Sequence, residues 1–172
     1  NTLEVVNSLT QAVGSSLLLV SEEGTITGTV VARAAVAVSI EPAAAERVMR
    51  EGLAGWVARR RESALVEDTL ADTRWLRYES RLSVRSALSV PISSGADLVA
   101  VLTLVHDEPG HFGEYHLRML ESAATQIALP LRNAQVSDSR LRLAERQTLL
   151  LEVLASTARP LDPNETAQAA AE

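Results

Sequence analysis

The amino-acid sequence predicts a fold of the α+β class, in which several strands lie between helices near the two ends of the chain. Residues 86–92 alternate between larger apolar and small side chains, and after the turn signal of residues 93–97 an apolar strand returns over residues 98–105. Residues 2–12 carry apolar side chains three and four positions apart, which is the spacing of an amphipathic helix. Helical periodicity also dominates residues 114–157.

Further strands and helices are predicted between the N-terminal helix and residue 50. Residues 16–21 read as a short apolar strand that ends in a turn at Gly24. The Val- and Thr-rich residues 25–40 form either one long strand or two in sequence, and Pro42 ends this region. Residues 43–50 are compatible with either a helix or a loop.

The elements predicted between residue 52 and the strand pair are short. A glycine opens a helix over residues 52–60, and residues 64–66 form a brief strand. Residues 68–81 are polar, with scattered aromatic side chains and with Asp and Thr residues that suit helix caps. They therefore predict a short helix flanked by loops.

The C-terminal helix is predicted to be about 40 residues long, or roughly 60 Å at 1.5 Å per residue. In its first half, apolar side chains recur at alternating steps of three and four, which is a heptad seam. The seam consists of Leu117, Leu120, Ala124, Ile127, Leu131 and Ala134. We expect a domain over residues 1–136, a linker or signalling helix over residues 137–158, and the truncated start of a following domain over residues 159–172.

Composition excludes several classes of function. The 172 residues include no cysteine and carry a formal net charge of −6. Disulfides, thiolate metal sites and thiol catalysis are therefore excluded, and a nucleic-acid surface is not expected. No apolar run approaches the roughly 18–20 residues that span a bilayer, so we expect no membrane contact by this segment. A cytoplasmic location is expected.

Four short motifs stand out between residues 52 and 134. They consist of Gly52, Gly55, Trp56 and Val57, then Val66, Asp68, Asp72 and Arg74, then Ser86, Leu88, Val90 and Pro91, and finally Phe112, Leu120, Ala124, Ile127 and Ala134. Together they resemble the motifs of the GAF domain family, a ligand-sensing and dimerising module of signalling proteins. The resemblance covers residues 1–136. It implies a central antiparallel sheet of about five to six strands, with terminal helices on one face and a loop-roofed ligand pocket on the other.

The resemblance also implies a ligand-binding site. It places the strand that carries Ser86 and Leu88 at the floor of the pocket, and it places residues 68–81 at the roof. In this roof, Trp75, Tyr78 and Arg81 are the predicted ligand contacts. Aromatic faces with guanidinium groups nearby suit a planar or anionic small molecule. The alternative is that the aromatic rings fill the space themselves.

The chemistry of several relatives is not supported by these residues. Bilin-binding and methionine-sulfoxide-reducing members rely on cysteine, which is absent. Haem-binding members use a histidine before the serine-plus-proline strand, and residues 77–81 contain none. The residues after Phe112 also depart from the cyclic-nucleotide-binding pattern, and the sequence contains no lysine. We therefore expect no cofactor and leave the ligand open.

The histidines and clustered acids do not predict a metal site or a catalytic site. His106, His111 and His116 are five residues apart, whereas a spacing of four places two histidines on one helical face. They also straddle a turn, so we expect a solvated loop. Asp68 and Asp72 are explained as caps. We predict that the chain is not an enzyme.

The expected function is that of a sensory and regulatory domain in a bacterial signal-transduction protein. It would bind a small molecule or a partner and relay the change through a dimeric C-terminal helix. We expect a homodimer formed by the terminal helices. The alternative is a ligand-free domain that serves only as a structural dimerisation module.

Overall fold

The computed structural model describes residues 2–21, 24–33, 36–38, 42–77 and 83–157. The described residues form four helices and six strands. The helices are α1 (Thr2–Thr10), α2 (Pro42–Glu51), α3 (Leu53–Arg60) and α4 (Glu114–Thr157). The strands are β1 (Gly14–Val20), β2 (Ile26–Arg33), β3 (Val36–Val38), β4 (Ala64–Val66), β5 (Ser86–Ser94) and β6 (Asp97–His106).

The described strands form one sheet in the order β3-β2-β1-β6-β5-β4. Every neighbouring pair is antiparallel. The central pair joins β1 near the N-terminus to β6 far along the chain, so a long-range contact completes the sheet. This architecture confirms the α+β class and the antiparallel sheet.

The two faces of the sheet carry different layers. On one face, Leu88 of β5 and Leu102 of β6 are buried in a cluster with Leu120 of α4. On the other face, Val101 of β6 is buried in a second cluster with Val57 of α3. Because successive side chains of a strand point to opposite faces, the mostly buried strands β5 and β6 supply both cores.

The two alternatives left open in the N-terminal half are decided by the structure. β2 and β3 pair with each other, with Val31 opposite Val38, so the Val- and Thr-rich region contains two strands. Residues 43–50 lie within α2 and are therefore helical.

Helices α2 and α3 pack closely because Gly55 has no side chain. A Cβ atom on Gly55 would lie 1.7 Å from the carbonyl oxygen of Met49, which no packing adjustment of a side chain can relieve. The guanidinium of Arg59 adds to the contact by donating to the carbonyl oxygens of Met49 and Arg50, at 3.0 and 3.2 Å. The predicted helix therefore contains glycine at two places that matter: Gly52, which opens it, and Gly55, which lies within it.

The segment after β4 differs from the predicted short helix, because residues 67–77 form turns. The carboxylate of Asp68 accepts the backbone N–H of Leu70 at 2.9 Å, and that of Asp72 accepts the N–H of Arg74 at 2.8 Å. An Asp side chain bonded two residues ahead offers the backbone an alternative to the helix. The residues expected to cap a helix therefore build turns.

Helix α4 contains 44 residues, and the chain divides into two compact units, Asn1–Arg132 and Asn133–Glu172. In the first unit, Leu120 and Ala124 of the predicted heptad seam are buried against the sheet. This part of the seam therefore belongs to the core of the domain, which corrects its interpretation as a surface for a partner helix. Residues 159–172, the expected start of a following domain, lie outside the described residues.

Candidate functional site

A small cavity lies between the central strands and the α2–α3 pair. Its volume is about 130 Å³ and its walls are mainly apolar. Ala54 of α3 lines it on the helical side, Ser16 and Thr103 line it on the strands, and Trp75 and Leu76 contribute from the turn segment. An apolar cavity of about this size holds a single aromatic ring.

Two ion pairs hold residues 67–77 in place beside the cavity. Arg85 donates two hydrogen bonds to the carboxylate of Asp68, at 3.2 and 2.8 Å. Arg74 binds the carboxylate of Asp72, with a shortest distance of 2.6 Å. These hydrogen bonds hold the pKa of each carboxyl below its ordinary value, so both acids are ionised at neutral pH. Both carboxylates are therefore engaged in ion pairs that stabilise this segment.

Hydroxyl groups supply the polar part of the cavity wall. The hydroxyls of Ser89 and Thr103 lie 2.8 Å apart in a buried hydrogen bond between β5 and β6. Ser16 also lines the cavity and adds a further hydroxyl-bearing side chain to its wall. The sequence signal for this wall was Thr103, the polar residue that interrupts the apolar run of β6.

Ser86 and Leu88 lie on the opposite face of the sheet from this cavity. Leu88 is fully buried in the cluster that contains α4. Ser86, two residues earlier on β5, donates its hydroxyl to the carbonyl oxygen of Glu108 at 2.7 Å. Ser86 and Leu88 therefore do not line this cavity, and their role as ligand contacts stays a prediction. Resemblance identified the strand, but the alternation of its side chains decides which residues face the cavity.

Of the predicted ligand contacts that the structure describes, Trp75 alone lines the cavity. Tyr78 and Arg81 lie outside the described residues. The neighbouring arginines are engaged elsewhere, because Arg77 donates to a backbone carbonyl at 2.9 Å and Arg85 is held in the ion pair described above. The described part of the cavity wall therefore contains no guanidinium group, and the preference for an anionic ligand loses that support.

A wider groove of about 530 Å³ lies between the α2–α3 pair and the β1–β2 turn. Its charged residues are Glu46, Arg50, Arg59, Arg61 and Asp97. Arg50 and Asp97 form ion pairs with neighbouring side chains, and Arg59 binds the carbonyl groups at the end of α2. Charges of both signs line this groove, so it indicates no single ligand chemistry. The smaller cavity beside Trp75 is therefore the better candidate.

The three histidines lie together at the end of β6, which sequence spacing did not predict. The ring of His106 stacks on that of His111 with centroids 3.5 Å apart, and the ring of His116 lies 5.8 Å from His111. Ligand atoms of His106, Glu108 and His111 all lie within 4.8 Å of one another. The spacing rule applies to histidines on one helix, whereas here a turn at Gly110 brings them together. The expected solvated loop is wrong for His106, whose side chain is only 12% exposed.

Comparison with known proteins identifies the family to which this fold belongs. The family model of the GAF domain matches residues 1–131. The chain therefore belongs to the GAF domain family. No curated protein matches the sequence.

Solved structures with this fold come from proteins of different function. The GAF domain of a phosphoenolpyruvate-protein phosphotransferase from Acinetobacter is 19% identical, with 80% of this chain and 82% of that chain covered and a TM-score of 0.60. The free methionine-R-sulfoxide reductase from Neisseria meningitidis, solved with its substrate, is 19% identical, with coverage of 78% and 77% and a TM-score of 0.56. A domain of a protein assigned as a two-component sensor histidine kinase from Sinorhizobium meliloti is 16% identical, with coverage of 81% and 91% and a TM-score of 0.53.

At sequence identities this low, the similarity to these solved structures establishes the fold alone. Among the helices that the structure describes, none combines the length and apolar character needed to cross a membrane.

Proposed function

We propose that the chain is a sensory and regulatory domain of a bacterial signal-transduction protein and that it binds a small molecule beside Trp75. The observation that carries this proposal is the cavity of about 130 Å³ between the central strands and the α2–α3 pair. Ligand sites are concave and mostly apolar, with a few polar groups that orient the ligand. The similar sensor-kinase domain and the substrate complex of the similar reductase support this use of the fold.

The cavity favours a small, planar and largely apolar ligand. Its volume is close to that of a cavity that binds benzene. Trp75 offers an aromatic face, and aromatic pairs contribute about 0.5–1.5 kcal/mol beyond the burial of their surface. The hydroxyl of Ser16 supplies a hydrogen-bonding group for one polar atom of the ligand. These features favour the planar ligand that the sequence predicts, and they do not favour the anionic ligand that was its alternative.

A bound ligand would act on the far face of the sheet through the strands that it touches. Leu18 of β1 lines the cavity, whereas its neighbours Leu17 and Leu19 pack against the cluster that contains Leu120 of α4. A small displacement of β1 would therefore change the packing on both faces of the sheet. In this proposal the ligand changes the populations of two arrangements of α4 within a homodimer, because it binds one arrangement more tightly.

The domain is also proposed to act without catalytic turnover. The absence of cysteine excludes thiol chemistry, including that of a cysteine-dependent sulfoxide reductase. Asp68 and Asp72, on the turn segment that contributes Trp75 to the cavity, are each bound by an arginine. Binding is thus the function that this site supports best.

Calorimetric titration of the whole chain with phenol tests the cavity directly. Phenol combines one aromatic ring with one hydroxyl, which matches the volume of the cavity and the presence of Ser16 in its wall. We expect one site per chain with a Kd on the order of a millimolar, because so small a molecule makes few contacts.

Two alanines on α3 provide a matched pair of variants. Ala54 lines the cavity beside Trp75, and Ala58, one helical turn further on, lines the wider groove. Ala54→Leu should fill the cavity and abolish phenol binding, whereas Ala58→Leu should leave the affinity unchanged. Equal binding by the two variants, or no binding by the unaltered chain, would contradict the proposal.

A structural dimerisation module without a ligand is the second candidate. Three exposed apolar side chains favour it: Val5 and Leu9 on α1 and Leu129 on α4 are 58%, 67% and 60% exposed. Val5 and Leu9 are four positions apart on α1 and so lie on one face of that helix, and an exposed apolar face is typical of protein–protein contacts. A chain that dimerises but binds phenol in none of its variants would support this candidate.

A further inference from the structure

The end of β6 assembles a group of side chains that the proposed sensory site does not use. His106 is the last residue of β6, Glu108 lies in the following turn, and His111 comes immediately after that turn. Their ligand atoms lie within 4.8 Å of one another. The cluster belongs to the face of the sheet that carries α1 and α4, on the opposite side from the cavity beside Trp75.

The backbone of this turn is fixed by hydrogen bonds to other elements. The hydroxyl of Ser86 donates to the carbonyl of Glu108 at 2.7 Å, and the N–H of Gly110 donates to the carbonyl of Glu67 at 2.7 Å. The N–H of Arg85 also donates to the carbonyl of His106 at 2.8 Å. The residues are therefore brought together by the fold itself, and a ligand does not have to order this loop.

His111 is oriented by a partner on α1. Its Nε2 atom lies 2.9 Å from the carbonyl oxygen of Thr10. A carbonyl oxygen only accepts hydrogen bonds, so Nε2 carries the proton and Nδ1 has the unshared electron pair. Metal-binding histidines are held in this way, with the second ring nitrogen donating to a carbonyl or a carboxylate.

The surroundings of the cluster suit a cation. Asp107 lies beside His106, with its Oδ1 3.4 Å from Nδ1 of the ring, and it adds negative charge to that of Glu108. The buried ring of Phe112 meets the rings of His106 and His111 edge-on, with centroid distances of 6.4 and 4.9 Å. Phe112 thus packs against both imidazoles, and the carboxylates of Asp107 and Glu108 lie near them.

We propose that His106, Glu108 and His111 bind a divalent transition-metal ion such as Zn²⁺. Two imidazole nitrogens and one carboxylate oxygen form a ligand set that suits Zn²⁺ and leaves a position for water. This proposal goes beyond the proposed sensory function and does not depend on it. An ion at this place would connect the end of β6 to α1 through the Thr10 contact of His111.

The stacked rings determine how the ion is bound. The ring planes of His106 and His111 are 5° from parallel, so their in-plane electron pairs do not meet at one point as the rings stand. His111 is fixed by Thr10, whereas His106 is held through Nδ1 by the backbone N–H of Glu108 at 3.0 Å. His106 therefore turns and gives up this hydrogen bond when the ion binds. This rearrangement lowers the affinity below that of a preformed site, and we expect a Kd on the order of micromolar.

Titration of the whole chain with Zn²⁺, in competition with a chromophoric chelator, tests the proposal. We expect one ion per chain and an increase in the thermal unfolding midpoint, because an ion that binds only the folded state stabilises it. Substitution of Co²⁺ should give the visible absorption bands of a site with nitrogen and oxygen ligands.

The variants distinguish these three ligands from other side chains nearby. His106→Ala, His111→Ala and Glu108→Gln should each weaken Zn²⁺ binding tenfold or more. Glu108 is exposed, so its variant keeps the test valid even if a histidine variant fails to fold. The control Glu114→Gln removes an exposed acid that pairs only weakly with Arg118, at 3.7 Å, and should leave the affinity within about threefold. The proposal is overturned if the unaltered chain shows no binding below about 100 µM, or if Glu108→Gln binds Zn²⁺ as tightly as Glu114→Gln does.

Discussion

Ser86 and Ser89 lie three residues apart on β5 and serve opposite faces of the sheet. Ser86 donates its hydroxyl to the carbonyl of Glu108 at 2.7 Å, whereas Ser89 bonds to the hydroxyl of Thr103 beside the candidate cavity. Both serines are fully buried. Buried hydroxyls are costly unless they are paired, so each serine links its strand to a specific neighbour.

Replacement of Ser86 tests the anchoring of the turn that carries Glu108. Ser86→Ala removes the hydrogen bond to the Glu108 carbonyl, and we expect it to lower the free energy of unfolding by about 1–2 kcal/mol. Ser93→Ala, at an exposed position of the same strand, is the control and should change it by less than about 0.5 kcal/mol. Urea denaturation measures both, and equal effects of the two variants would show that the turn is held by other contacts.

The ion pair of Asp72 with Arg74 should make stability depend on pH. The hydrogen bonds from Arg74 lower the folded-state pKa of Asp72. The contribution of this ion pair to stability is therefore complete above the unfolded-state pKa of Asp, about 3.9. It is lost as the pH falls through the lower folded-state pKa of Asp72. Asp72→Asn should cost about 1 kcal/mol at neutral pH.

The same variant should show a smaller loss of stability in acid, because Asn does not titrate. Glu67→Gln, a change at an exposed acid of the same segment, is the control for this comparison. Urea denaturation at neutral pH and at about pH 3 measures the difference. A difference between Asp72→Asn and the unaltered chain that stays constant with pH would contradict the assignment.

At the scale of elements, the close approach of α2 and α3 shapes the candidate cavity. Ala45 and Val48 of α2 and Ala54 of α3 all line it, so the separation of the two helices determines its volume. Gly55 permits this separation, because a Cβ atom there would meet the carbonyl of Met49.

Gly55→Ala therefore tests the packing of α2 against α3. The added methyl group has no room, and we expect a loss of about 3 kcal/mol in the free energy of unfolding, at the upper end for overpacked cores. At Gly113 a Cβ atom would meet nothing within 4 Å, so Gly113→Ala should be nearly neutral. If both variants unfold at the same urea concentration, the helices do not approach as closely as described.

Elements that follow from the hydrophobic pattern were predicted well from the sequence, whereas those decided by side-chain hydrogen bonds to the backbone or by distant partners were not. The strand pair β5–β6 follows from alternation and turn residues within 21 positions of the chain. The turns at Asp68 and Asp72 replaced a predicted helix because their side chains compete for the backbone N–H groups. The seam of α4 was correctly read as apolar, but which surface it covers was not visible in the pattern.

The candidate sites were likewise only partly predictable from the sequence. Trp75 was predicted because a resemblance placed its segment over a pocket, whereas Ser16 and Thr103 reach the same cavity from strands far apart in sequence. The cluster of His106 and His111 likewise depends on a turn, and the contact of His111 with Thr10 spans 101 positions. Spacing along the chain carries no information about such contacts.

At the scale of the whole molecule, the proposed relay requires a homodimer. Leu9 on α1 is 67% exposed and has the character of a contact residue, while Leu70, on the turn segment after β4, is 54% exposed. Leu9→Arg should therefore weaken dimerisation tenfold or more, because it places a charge in an apolar interface. Leu70→Arg should leave dimerisation unchanged.

Sedimentation equilibrium over the micromolar range measures this difference. A monomer at all concentrations for the unaltered chain would contradict the dimeric relay. Equal dimerisation of Leu9→Arg and the unaltered chain would place the interface away from α1.

The central claim is that the cavity beside Trp75 holds a small molecule in the cell. Native mass spectrometry of the protein purified from its source, together with Ala54→Leu and Ala58→Leu purified in the same way, tests it most directly. The account predicts one small molecule retained per chain in the unaltered protein and in Ala58→Leu, and none in Ala54→Leu. A molecule retained equally by Ala54→Leu, or the absence of any retained molecule from all three proteins, would contradict it.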